Sequence, residues 1–487
     1  MRNTPDLIFT RASITLEYRS QAQKSLEGSL LESRRNESGK IKLILLLFIV
    51  GIAAFFLWRE ISAAPPEVRL GREIKGISRS TELSFTATDR RSLLALSFSI
   101  AQGGETIPIL SESYGSRWRF WEPGPKELTR QVRLGVAHQE QLQDGAAELR
   151  IEVQNKNWFS SRATLTHDVV VRSVPPRIDI LSGLLYVNQA GSEMVRYRVS
   201  RYTVFSGVRV GEHFFPGYPA PGGNRDERLA LFAFPYGVPA DTVPQVMARD
   251  DAENESQASF PFRLLTKNFR SRDLQISDSF LQATVPSILS NAPELADQGD
   301  LLQNYLMVNG QLRESNRAKI AELSKQSAAE FLWQGSFLQL MNSAVESQFA
   351  DARTYWHQGK QVDQQVHLGF DLAAVRNTPV EASNAGRVVF AEYLGIFGNT
   401  IILDHGFGLQ SLYAHLHSFD VGVGDMVHRG QTIGKTGSTG LAGGDHLHFT
   451  MLLAGVEVNP IEWWDQRWIE QHILPKLSAA EQTTREF

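Results

Sequence analysis

The sequence predicts a mainly β, multi-domain chain with one membrane-spanning helix near its start. Three observations predict this. Residues 65–268 run as short alternating apolar/polar stretches broken by Gly, Pro and Asn turns. Residues 41–58, IKLILLLFIVGIAAFFLW, form an apolar run with no charge after Lys42. Residues 366–449 mix Val-, Ile- and Phe-rich stretches with glycine turns. Eight of the chain's twelve histidines lie in that segment or just before it, more imidazoles than a packed core has use for.

At 487 residues the chain has room for several domains, and 42% hydrophobic with 21% charged residues is an ordinary globular mix. A net charge of -4 gives no sign of a nucleic-acid partner. The lack of cysteine excludes disulfide frameworks, thiolate metal sites and cysteine nucleophiles.

In order, residues 1–40 read as a polar tail. The run 41–58 spans about 27 Å as a helix, close to the roughly 30 Å of a hydrocarbon core. Lys42 snorkels at one end and Trp58 sits at the interface at the other, and the long preceding tail favours an uncleaved anchor. Segments 65–175 and 176–268, parted by Pro175-Pro176, each have the length and strand-turn rhythm of an immunoglobulin-like β-sandwich. Neither carries a catalytic constellation. Residues 269–335 switch to helical periodicity, in a connector that is either a spacer or a cover over the active site. Residues 336–465 form a β-rich domain, and 466–487 a short helix and polar tail.

The chemistry lies in 336–465. On a strand, residues two and four apart share a face. His367 and Asp371 then project together if the chain is not bulged at Gly369. His446 pairs with His448 in the same way, as do Tyr413, His415 and His417. Two such strands side by side supply two imidazoles and a carboxylate to one ion, a catalytic zinc set with one position left open. Each pair alone is a weak signal. The ordered set HxxxD (367–371), YxHL (413–416) and HLHF (446–449) is a strong one.

This set resembles the lysostaphin/LytM-type zinc metallopeptidases, which cut peptide bonds in bacterial cell walls. The likeness runs from about Ser336 to Trp464. It includes GNTIILDHG at 398–406, VGDMVHRGQTIG at 423–434, GSTG at 437–440 and the VNP ending at Pro460. Residues 421–434 are also similar to the hybrid motif of biotinyl and lipoyl carriers, but the Gly437–Gly440 tip lacks a carrier lysine. The family resemblance implies a duplicated hybrid-motif peptidase domain. It implies one Zn2+ per chain on His367, Asp371 and His448, with His415 and His446 as the catalytic histidines. Asn399 and Tyr413 are the expected substrate contacts. His417 is expected near the site or on the surface, and His405 in a structural or groove position. The implied substrate is the peptidoglycan stem peptide. The implied location is the periplasmic side of a bacterial inner membrane, with residues 1–40 in the cytoplasm and 65–268 as a spacer removable from a soluble fragment. The alternative is a non-enzymatic relative that binds wall or activates another hydrolase. Such relatives have lost zinc ligands, and here every ligand position is filled.

Overall fold

The structure, a computed structural model, describes residues 40–62, 64–116, 122, 124–159 and 162–477. The expected N-terminal tail up to residue 39 and the last ten residues lie outside them. The described chain is mainly β. One helix, Lys40–Ile61, is long and apolar enough to cross a membrane. The chain divides into two compact units, one ending at Val171 and one starting at Arg172.

The first unit holds a three-stranded sheet (Glu67–Leu70, Thr81–Thr88, Glu127–Leu134) and a five-stranded one. The latter runs in the order Gly76–Ile77, Arg162–Val171, Gly145–Asn155, Leu93–Gln102, Glu105–Ser113. Alternation along Thr81–Thr88 buries Leu83, Phe85 and Ala87. Phe85 meets Phe98 of the larger sheet edge-on at 5.5 Å, so both sheets share one core.

The second unit begins with two four-stranded sheets built from residues 178–259. Helices follow at Asp278–Ser290, Leu301–Met307 and Arg313–Ser324. Ser277 and Asp300 cap the first two by accepting from the backbone amides of Phe280 and Gln303. A π-helical turn, Val308–Leu312, joins the last two. An eight-stranded sheet then forms the scaffold of the C-terminal region. Its centre is the antiparallel run Phe370–Ala373, Leu447–Leu453, Leu409–Leu416, Asn399–Gly406, Gly386–Tyr393.

The residues expected as a detachable second sandwich share a core with this scaffold. One apolar cluster joins Val195, Tyr197, Phe232 and Phe234 to Trp333, Phe407, Phe449 and Trp463. Tyr218 packs on Phe407 at 4.8 Å. The Trp463 indole donates to Ser192 Oγ at 3.2 Å, and the Asn459 amide donates to Ala190 O at 2.9 Å. The Glu462 carboxylate accepts from Asn188 and from the Ser192 amide.

His405 and Tyr413 belong to a buried polar chain inside the scaffold. His405 holds Ala385 O and Ser411 Oγ, each at 2.7 Å, and Ser411 donates to the Tyr413 hydroxyl at 2.9 Å. Burial pushes the His405 pKa down from 6.5 to about 4. The neutral ring is thus the form the fold accepts. Its contribution to stability is complete above pH 6.5 and is lost as pH falls towards 4, by up to about 3 kcal/mol. The thermal midpoint should therefore fall across that window, and less steeply in His405→Gln. A midpoint flat from pH 7 to 4.5 would refute this.

Candidate active site

The site assembles where two sheets meet. A hairpin pairs Asp351–His357 with Lys360–His367 through the two-residue turn Gln358-Gly359. Both turn residues have positive φ (48° and 78°), the geometry that matches strand twist. His367 is the last residue of this hairpin. The chain then crosses Leu368-Gly369 into the large sheet, where Asp371 lies directly opposite His448. Gly369 is required at the crossing, because a Cβ there would lie 2.4 Å from His448 Cε1.

His367, Asp371 and His448 converge. Asp371 Oδ1 lies 2.9 Å from His367 Nε2 and 3.0 Å from His448 Nδ1, and the two nitrogens are 3.0 Å apart. A tetrahedral ion with bonds of about 2.0–2.1 Å needs donors about 3.3 Å apart, so this triangle is close to one face of such a site. His367 Nδ1 donates to Gln348 O at 3.1 Å, which leaves Nε2 as a lone-pair donor. Asp371 Oδ2 accepts from Arg353 at 2.9 Å. The three donors therefore fit a metal ion.

His415 and His446 flank the triangle in matching ways. His415 Nδ1 donates to Thr439 O at 2.8 Å, and His446 Nδ1 to Gly444 O at 2.9 Å. The backbone thus fixes both tautomers with Nε2 free for chemistry. His446 Nε2 lies 3.6 Å from Asp371 Oδ1, and the His415 and His446 rings are 4.8 Å apart. Burial, then repulsion from His446 and His448, pushes the His415 pKa well below the usual imidazole value. Burial also pushes His448 down, to about 4. At His446 burial acts in the same direction, but the Asp371 carboxylate outweighs it and raises the pKa. Burial would raise Asp371. The electrostatic pull of His367 and the hydrogen bonds of the three histidines instead hold it well below the usual carboxylate range.

Strand alternation misplaces Tyr413. It assumed that residues 413, 415 and 417 share a face. His415 instead has φ 61°, a left-handed residue that breaks the alternation inside Leu409–Leu416. Tyr413 therefore faces the core with 1% exposure, its hydroxyl accepting from the Ser383 amide at 2.8 Å. The expected substrate contact from Tyr413 is not available in this arrangement. His417 is exposed on the surface. Asn399 ties the strand carrying His415 to the 437–440 loop: its side chain donates to Leu416 O, and its amide donates to Thr439 Oγ1. It does not line the cavity.

That cavity, about 670 Å3, contains all five site residues. Which residues make its other walls was not legible in the sequence, although residues 269–335 were expected either as a spacer or as a cover over the site. Phe280, Tyr305 and Arg313 come from the helical segment, and Arg353 comes from the hairpin. The hairpin was legible in principle from Gln358-Gly359 between two alternating stretches.

Residues 365–460 match the model described as Peptidase family M23. The DD-carboxypeptidase/endopeptidase Mpg of Neisseria meningitidis is 42% identical over 96 residues, which are 20% of this chain and 22% of that protein. The peptidoglycan DD-endopeptidase ShyA of Vibrio cholerae is 29% identical over 171 residues, 35% of this chain and 37% of that one. The murein hydrolase activator EnvC of Escherichia coli is 38% identical over 95 residues, 20% of this chain and 23% of that one. The matched part thus spans between about a fifth and two fifths of each relative. The matched stretch, residues 365–460, is the part that carries the His367, Asp371 and His448 triangle, and it is this part of the chain that is similar to peptidase family M23.

Proposed function

We propose that this chain is a zinc-dependent endopeptidase that hydrolyses peptide cross-links of bacterial peptidoglycan. The observation that carries this is the complete donor triangle with two oriented imidazoles beside it in one cavity. The activities named for Mpg and ShyA favour the same substrate. His367, Asp371 and His448 hold one Zn2+ per chain. A bound zinc ion supplies water acidic enough to attack at neutral pH and a charge that polarises the scissile carbonyl. With their Nδ1–H groups committed to backbone carbonyls, the Nε2 atoms of His415 and His446 are lone pairs that take up a proton, and once protonated they donate it to the developing oxyanion or the leaving amine.

In the same reading Lys40–Ile61 is a single-pass inner-membrane anchor, with the catalytic part in the periplasm. The paired sheets of 65–175 and 176–268 are immunoglobulin-like sandwiches, 269–335 is the helical connector and 336–465 the peptidase domain. The test is incubation of the zinc-loaded full chain with purified peptidoglycan, followed by mass spectrometry of the released fragments. Cross-linked dimers should become monomers while glycan strands stay whole. Tight wall binding without products would overturn the enzyme in favour of an activator.

A further inference from the structure

The cavity contains a cation that the proposed chemistry does not use. Arg313 begins the helix after the π turn and lines the cavity with the five site residues. Its guanidinium is held from behind. Nε donates to Asn309 O at 3.1 Å, and Nη2 donates to Asn309 Oδ1. Asn309 is itself fully buried and oriented, its Nδ2 donating to Asp363 Oδ2 at 2.6 Å and to the Tyr305 hydroxyl at 3.2 Å. The π turn, a device often found at functional sites, is the segment that carries Asn309.

Among the described residues Arg313 forms no ion pair, and no protein acceptor takes its Nη1. The neighbouring Arg353 is paired with Asp371, yet its buried Nε also lacks a partner. Arg272 differs, being bound to Glu346 O and Ser347 Oγ. The acids Glu346 and Asp445 line the same cavity, but Asp445 is taken by Thr436 Oγ1 and the Asn377 amide. A fixed guanidinium fork with free N–H groups matches a carboxylate better than any other peptide group.

We propose that Arg313, backed by Arg353, receives a free carboxylate on the substrate peptide, so that the site selects peptides carrying such a carboxylate beside the scissile bond. This rests on the peptidase reading above. Asn309 is then a positioning residue that holds the fork. One charge-assisted pair in such a cavity changes affinity about tenfold or more.

The probes are purified cross-linked stem-peptide dimers and the same dimers with their carboxylates amidated by carbodiimide and ammonia. Zinc-loaded enzyme should cleave the free-acid dimer at least about tenfold better in kcat/KM, mainly through KM. The His415→Ala protein, which binds without turning over, should bind it tighter by a similar factor in calorimetry. Arg313→Met should erase both differences, and Arg313→Lys should restore part of each. Equal binding of the two dimers, or a preference that survives Arg313→Met, overturns the proposal. The wild-type comparison needs no variant to fold. If neither dimer is cleaved, the peptidase reading fails while the binding arm still decides this one.

Discussion

His448→Ala is expected to leave the protein without bound metal and to lower wall hydrolysis by about three orders of magnitude or more. His448 sits opposite Asp371 and supplies one of three donors, and two donors bind an ion far more weakly than three. His415→Ala should behave differently. Its ring hangs from Thr439 O, outside the triangle, so metal content should stay near one per chain. Turnover should still fall by about 10²–10⁴, the usual worth of a positioned general acid or base. Metal analysis of the two purified variants separates the roles. If His415→Ala is as metal-poor as His448→Ala, the division between holding and catalysing is wrong.

The second large effect concerns truncation. Removing residues up to 171 should leave a folded, active fragment, whereas removing residues up to 268 should not. The second cut strips Tyr218 from Phe407 and Ser192 from Trp463. It also strands Glu462 and takes Glu193 from His472 and Lys476. Each buried aromatic or aliphatic side chain returned to water costs about 1.5–3 kcal/mol. A few of them, added to an unpaired buried carboxylate, approach the roughly 5–15 kcal/mol that holds a domain together. Fragments 172–477 and 269–477 can be compared by circular dichroism melting. A cooperative transition for the shorter one within a few degrees of the longer would show that the shared core is dispensable.

Much of the site was legible because its chemistry is local in sequence. His367 and Asp371 lie four residues apart, His446 and His448 two apart, and short spacings survive small bends in the chain. Tyr413 shows where such reasoning breaks. One left-handed residue at His415 turns the alternation over, and a histidine at positive φ leaves no mark in a pattern of apolar and polar residues. The helical segment was readable as helix from its period, but period gives no direction in space. Nothing in Leu301–Ser324 says that Arg313 faces the histidines. The shared core was hidden for a related reason. Alternation along Ser192–Val199 and Glu227–Ala233 marks strands, but not which neighbour covers their second face.

The crossing at Leu368-Gly369 has a consequence for how the molecule is braced. His367 belongs to the three-stranded sheet that also takes in Ser271–Gln275 of the connector, while Asp371 and His448 belong to the eight-stranded one. An ion held by all three residues is a rivet through the seam between the two. Chelation would then do more than silence the chemistry. It would leave the hairpin joined to the strands behind it only by direct contacts such as Arg353 with Asp371, so that the same ion serves the chemistry and braces the seam.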